Sequence, residues 1–164
     1  MPGSDFLALL GALHEGGVEF IVVGGVAAAL GGAPVNTFDL DIVPARGEKK
    51  VVKLLAVLES LDAIDRMQPS RRLKPGISLL SSPGHHNLVT RFGPLDILGT
   101  IGRDLAYEDL LPDVIEMIIA PGARVRVVDL PAIVALKEEL AGEKDLAVLP
   151  ILRRTLQARK SRPT

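Results

Sequence analysis

The chain has no cysteine and no tryptophan, and aromatic residues make up only 3% of its 164 residues. Without cysteine there are no disulfides and no thiolate metal ligands, which fits an expectation of a cytoplasmic protein. Few aromatics mean few faces on which unstacked bases could lie, so a stacking platform for single-stranded nucleic acid is disfavoured. Charge of one sign is also missing: the net charge is −1. No global field therefore recruits nucleic acid, and any such binding would need a local basic patch. No apolar run reaches the ~20 residues of a membrane helix. The longest, Phe20 to Leu30, is interrupted by Gly24-Gly25, and the first residues show no basic-then-apolar leader pattern.

What is present is an aliphatic, ordinary globular composition, 48% apolar and 24% charged. One domain over residues 1–164 is the expectation for this length. Its core would lie in about residues 5–128, with C-terminal helices over about 129–158.

The most informative stretch runs from Val22 to Val43, VVGGVAAALGGAPVNTFDLDIV. It reads as the end of a β-branched strand (Val18 to Val23), a Gly-Gly turn, a short helix (Val26 to Leu30), a break, and a second strand (Thr37 to Val43). Residues two apart in a strand share a face, so Asp39 and Asp41 point together, while Phe38, Leu40 and Ile42 point the other way. Adjacent carboxylates repel, and burying them unpaired is costly. A divalent cation relieves that cost, and Mg²⁺ takes oxygen ligands, commonly carboxylates together with substrate phosphates. Gly24 and Gly25 leave backbone N–H groups open to an anion at the start of a helix. The dinucleotide pattern G-x-G-x-x-G and the P-loop pattern are both absent.

Gly24-Gly25 followed by Asp39-Leu40-Asp41 resembles the signature of the nucleotidyltransferase superfamily, whose fold is that of DNA polymerase β. Among its branches, the single-domain bacterial toxins of the AbiE type look most similar. The resemblance implies an α/β fold: a small mixed sheet with flanking helices and a helical C-terminal end. It implies transfer of a nucleoside monophosphate from an NTP, ATP included, to a hydroxyl acceptor. Mg²⁺ would assist, in a two-ion site, with Mn²⁺ as the alternative ion. Asp39 and Asp41 would hold the metal. The third carboxylate would be Asp96, an acid inside the apolar run Leu95, Ile97, Leu98 after the Gly93-Pro94 turn. Gly24, Gly25 and Thr37 would lie at the nucleotide. Ala135-Leu136-Lys137 followed by Glu143-Lys144-Asp145-Leu146 resembles the tail pattern of the toxin-type relatives, which implies nucleotide contacts for Lys137, Lys144 and Asp145. By the same resemblance the acceptor is a tRNA end, with an antitoxin protein as partner. A small hydroxylated molecule of the aminoglycoside kind is the rival acceptor. Two departures stand out: Gly25 replaces a frequent Ser, and Val35 stands where similar proteins often carry Arg. A non-catalytic nucleotide- or partner-binding module of this fold, and a purely structural interaction domain without metal affinity, are the other classes to separate.

The remaining elements follow from periodicity. Phe6 to His14 and Glu48 to Leu61 read as amphipathic helices, the latter with an apolar stripe from Val51 to Leu61. Asp62 to Gly76 reads as loop, carrying Arg66, Arg71, Arg72 and Lys74, a cluster able to meet RNA phosphates or to form a solvated face. Ile77 to Leu80, Asn87 to Phe92, Leu95 to Leu98, Val114 to Ile119 and Arg124 to Val128 read as strands. His85-His86 reads as a surface turn rather than a metal site, because adjacent side chains diverge. Leu130 to Ala141, with Asp129 as N-cap and Pro131 in the first turn, and Lys144 to Gln157 read as helices, with a loose tail from Arg159.

Overall fold

The computed structural model describes residues 4–161. The chain opens with helix α1 (Phe6–Glu15), whose N–H at Ala8 is capped by the Asp5 carboxylate at 3.0 Å. Gly17, at φ +71, then turns the chain into β1 (Phe20–Val23), a strand buried along its whole length. Helix α2 (Gly24–Leu30) follows without a connecting loop, and β2 (Leu40–Pro44) runs back antiparallel to β1. Helix α3 (Glu48–Ser60) buries Val51, Leu54, Val57 and Leu58, the stripe expected from its 3.6-residue period. A two-residue strand β3 (Ile64–Asp65), a short helix α4 (Ile77–Leu80) and the hairpin β4 (His85–Thr90) and β5 (Gly93–Leu98) come next. After α5 (Tyr107–Leu110), a second hairpin is formed by β6 (Val114–Ala120) and β7 (Ala123–Val128). Helices α6 (Leu130–Leu140) and α7 (Glu143–Ser161) complete the chain, with the Asp129 side chain accepting from the Leu130 N–H at the start of α6.

The strands form one seven-stranded mixed sheet in the order β3-β4-β5-β2-β1-β7-β6. β2 pairs with β5, and β1 with β7, in parallel; the other pairs are antiparallel. Leu9, Leu13, Ile21, Leu40, Ile42, Leu54, Leu95 and Ile97 are at most 1% exposed and form the aliphatic core. The sheet thus places the four central strands β4, β5, β2 and β1 side by side, and their register builds the site described next.

Several expectations are corrected here. Ile77 to Leu80 is a helical turn, not a strand, with Ile77 and Leu79 about half exposed. A four-residue apolar run is too short for periodicity to separate the two states. His85 and His86 belong to β4 rather than to a turn. They do diverge: His85 Nε2 lies 2.8 Å from the Thr100 carbonyl, and His86 Nε2 lies 3.2 Å from Ser82 Oγ. The second strand of the signature stretch begins at Leu40, not Thr37. Phe38, expected to point the same way as Leu40 and Ile42, precedes the strand and its alternation and is 78% exposed where those two are buried. Helix α2 starts at Gly24, two residues early, and the loop after α3 hides strand β3. Helix α7 continues through Arg159 to Ser161, where a loose tail was expected; residues 162–164 lie outside the described residues.

Candidate active site: a carboxylate cluster on the sheet

Asp41 is opposite Val23 on one side and Asp96 on the other, and Asp96 is opposite Asn87. Directly opposed residues share a face of a sheet, so one row of side chains crosses four strands. Asp39 sits in the bend just before β2, two residues from Asp41 and on its side. Thr37 Oγ donates to the Asp39 carbonyl at 3.1 Å and fixes this bend. The result is a set of three carboxylates, Asp39, Asp41 and Asp96, each offering an oxygen within 4.8 Å of the others.

Burial makes this cluster costly. The Asp96 side chain is 10% exposed. Asp41 Oδ1 and Asp96 Oδ1 are both buried without a hydrogen-bond partner among the described residues. A buried polar oxygen left unpaired is unusual in a folded protein. Burial, then the neighbouring charge of Asp39 and the contact with Asp96, push the Asp41 carboxyl up to about 8. Burial, with the contact to Asp39, pushes Asp96 up to about 6, against the opposing pull of Arg66. Such a cluster, three carboxylates against the single cation of Arg66 and with two oxygens that accept no hydrogen bond, suits a divalent oxygen-seeking cation.

The glycines make room for it. Gly24 has φ +67, and a Cβ there would collide with the Asp41 carboxylate. At Gly25 an added Cβ would lie 2.8 Å from Thr37 Oγ. Gly24 and Gly25 therefore pack directly beneath Asp41 and Thr37, a close-approach role that the helix-start reading alone did not foresee.

Beside Gly24 and Asp41 lies a cavity of about 140 Å³ lined also by Gly102, Ile133, Leu136 and Lys137. That is well below the ~300–1,000 Å³ of complete small-molecule sites, so it has room for only part of a ligand of that size. Lys137 Nζ lies 3.1 Å from Asp145 Oδ1, an ion pair that joins α6 to α7 at this cavity. Lys144, in contrast, is exposed on α7 and makes no ion pair or hydrogen bond among the described residues. Of the residues singled out in the sequence, the fold thus gathers Asp39, Asp41, Asp96, Gly24, Gly25, Thr37, Lys137 and Asp145, and leaves Lys144 outside. A larger hollow of about 770 Å³ lies between α1 and α3 and contains none of the three aspartates.

The sequence reading missed Arg66 at the site. Its Nη2 lies 2.8 Å from Asp96 Oδ1 and 3.7 Å from Asp39 Oδ2. It belongs to a stretch without periodicity, and only the β3–β4 pairing, invisible in the local pattern, carries it to the cluster.

The electrostatics have a consequence for stability. An acid whose carboxyl is raised on folding holds its proton more tightly in the folded state than in the unfolded one. Its contribution is complete below its unfolded value near 4 and is lost as pH rises through the folded value. The metal-free protein should therefore lose stability as pH rises from about 4 to about 8, chiefly through Asp41. Allowing for solvent screening of a partly exposed group, the loss is about 1–2 kcal/mol, or several degrees in Tm. Saturating Mg²⁺ should flatten that slope, as thermal unfolding across the pH range would show.

The mixed seven-stranded sheet with its flanking and C-terminal helices is consistent with a nucleotidyltransferase-like fold. No family model matches the chain, and no curated protein sequence matches it. Among solved structures, the chain is similar to a "putative nucleotidyltransferase (TM1012)" from Thermotoga maritima. The two share 16% identity with a TM-score of 0.53, over 93% of each chain. At that identity the likeness is one of fold. Among the described residues, no helix is long and apolar enough to cross a membrane.

Proposed function

We propose that the chain is a Mg²⁺-dependent nucleotidyltransferase that moves a nucleoside monophosphate from an NTP to a hydroxyl acceptor. The observation that carries this is the cluster of Asp39, Asp41 and Asp96, with two buried carboxylate oxygens that accept no hydrogen bond, on a sheet of nucleotidyltransferase-like topology. These three residues would hold the metal, and the free oxygens fit the demand of such an ion. Bound there, a divalent ion, or a pair with Mn²⁺ as the alternative, supplies charge neutralisation and alignment for phosphoryl chemistry.

The chain's own residues do the rest. In the transfer, the acceptor oxygen bonds to the α-phosphorus, the α–β phosphoanhydride bond breaks, and pyrophosphate leaves. Asp96, beside the other two carboxylates, would also take the acceptor's proton as general base. Gly24 and Gly25 leave the start of α2 open beside Asp41. Lys137, lining the adjoining cavity and held by Asp145, offers a cation to the triphosphate. Thr37 positions Asp39. No side-chain nucleophile is needed, since positioning and charge stabilisation carry such reactions.

For the acceptor, an RNA end is the reading best supported. Arg71, Arg72 and Lys74 are exposed on the segment that Arg66 ties to the cluster, a local basic patch on an otherwise near-neutral protein. The toxin-type resemblance points to tRNA as that RNA, and to an antitoxin as partner. One observation favours the non-catalytic alternative: Arg66 already occupies part of the carboxylate cluster.

The test is transfer of label from each α-labelled NTP, with Mg²⁺, to total tRNA, to an aminoglycoside, or to neither. Labelled RNA supports the proposal in full, a labelled small molecule moves the acceptor, and no label with any acceptor favours the binding module. Lys137→Met should raise the KM for NTP about tenfold, roughly 1.4 kcal/mol of lost binding, while Lys144→Ala changes it less than twofold.

A further inference from the structure

Arg66 is placed with more care than a loop arginine needs. Its backbone N–H donates to the Asn87 carbonyl at 2.9 Å, continuing the β3–β4 ladder. Its Nη1 donates to the Leu88 carbonyl at 3.2 Å, so β4 anchors both the backbone and the guanidinium. That leaves Nη2 free to reach Asp96 Oδ1 at 2.8 Å and Asp39 Oδ2 at 3.7 Å. The contact to Asp96 is close but misaligned, because that oxygen has no hydrogen-bond partner by geometry. The guanidinium therefore neutralises charge without satisfying the lone pair. Its neighbours do nothing similar: Arg71 bonds to Gln68, and Arg72 and Lys74 are exposed.

The two oxygens that face Arg66 belong to the carboxylates a divalent ion would use. An ion at ~2.1 Å from Asp96 Oδ1 and a guanidinium on the same oxygen would repel each other strongly. We infer that Arg66 is a resident cation of the carboxylate cluster, and that a divalent ion competes with it for Asp96 and Asp39. This rests on the metal-site reading above. Arg66 lets the fold form without metal, and it sets a threshold that the metal has to exceed. Because β4 holds its backbone, displacement needs only a swing of the side chain that pivots on, or gives up, the Nη1 bond to the Leu88 carbonyl.

A purely structural Arg66 and a competing Arg66 predict opposite results. Loss of a structural support loosens the ligands and weakens metal binding. Loss of a competitor tightens it. Mn²⁺ alone is the probe, with free ion counted by electron paramagnetic resonance at pH 7.5, on wild type, Arg66→Gln and Arg66→Lys. Arg66→Gln should bind Mn²⁺ about tenfold tighter than wild type. It should also melt lower without metal and recover when Mn²⁺ saturates it. Arg66→Lys, a cation without the fork that reaches both Leu88 and Asp96, should fall between the two, and it decides the matter should the Gln variant not fold. Equal or weaker Mn²⁺ binding in the variants than in wild type overturns the inference and leaves the metal site standing. No Mn²⁺ binding in any of the proteins overturns both.

Discussion

Asp41→Asn is expected to reduce transfer at least ~10³-fold, about 4 kcal/mol of barrier, and at the same time to stabilise the metal-free protein. The two effects have one origin. Asp41 is half-buried and flanked by Asp39 and Asp96, so that charging its carboxyl is costly and the group is pushed up to about 8, and one of its oxygens has no partner. An amide of the same shape removes a repelled charge and adds an N–H donor that can reach the unpaired oxygen of Asp96. At pH 8 the gain should be about 1–2 kcal/mol, several degrees in Tm, with screening already discounted. Most substitutions in a core destabilise, so a stabilising change that abolishes activity marks a site held in place against stability. Thermal unfolding and a label-transfer assay on the same preparation would check both halves. A destabilised variant with intact transfer would assign Asp41 to the scaffold.

Gly24→Ala is the second large effect. Gly24 is at φ +67, where an L side chain is strained by roughly 1–2 kcal/mol. Its added methyl would also collide with the Asp41 carboxylate. Together these should cost about 2–4 kcal/mol and displace the carboxylate from the cluster, so metal-dependent stabilisation should vanish as well. The two contributions separate in a double variant. With Asp41→Ala present the collision is gone, and Gly24→Ala should then cost only the backbone strain, a coupling of about 1–2 kcal/mol in a double-mutant cycle. Gly25→Ala should cost less than Gly24→Ala, because its φ is ordinary and its methyl meets Thr37 Oγ and Cβ at 2.8 and 3.0 Å, a milder overlap than the one Gly24 would make with the Asp41 carboxylate. Equal costs for the two glycines would remove the argument that Gly24 exists to admit Asp41.

These expectations show where the sequence was readable. The strand, glycine turn, helix and acidic strand from Val22 to Val43 carry strong local signals, β-branched residues, Gly-Gly and period-two acids, and each appears in the structure at or near its expected place. Asp96 was legible because a lone acid in an apolar strand contradicts its surroundings, and the parallel β2–β5 register sets it opposite Asp41. Phe38 was misread because alternation was extended past the first residue of β2. Ile77 to Leu80 was misread because a short apolar run fits helix and strand alike. Arg66 was visible as a residue but not as part of the site. Its role depends on β3, two residues long, pairing with β4 across the whole segment that contains α4. Non-local pairing of that kind leaves no periodic trace.

The resident-cation role of Arg66 also bears on Val35. The arginine that the nucleotidyltransferase resemblance leads one to expect is absent at Val35, and a guanidinium reaches the aspartates from a different part of the chain. The cluster is therefore not without a protein cation, although this one faces the carboxylates from the β4 side.

The central claim is that Asp39, Asp41 and Asp96 seat a metal-bound NTP, and thermal stability tests it most directly. Wild type and Asp41→Asn would be melted with each NTP, with and without Mg²⁺. A ligand that binds only the folded state raises its stability by mass action, about 2.7 kcal/mol at a hundredfold excess over Kd. The account predicts a rise in wild type that requires NTP and Mg²⁺ together and is absent in Asp41→Asn. A rise of equal size in both proteins, or one indifferent to Mg²⁺, would contradict it.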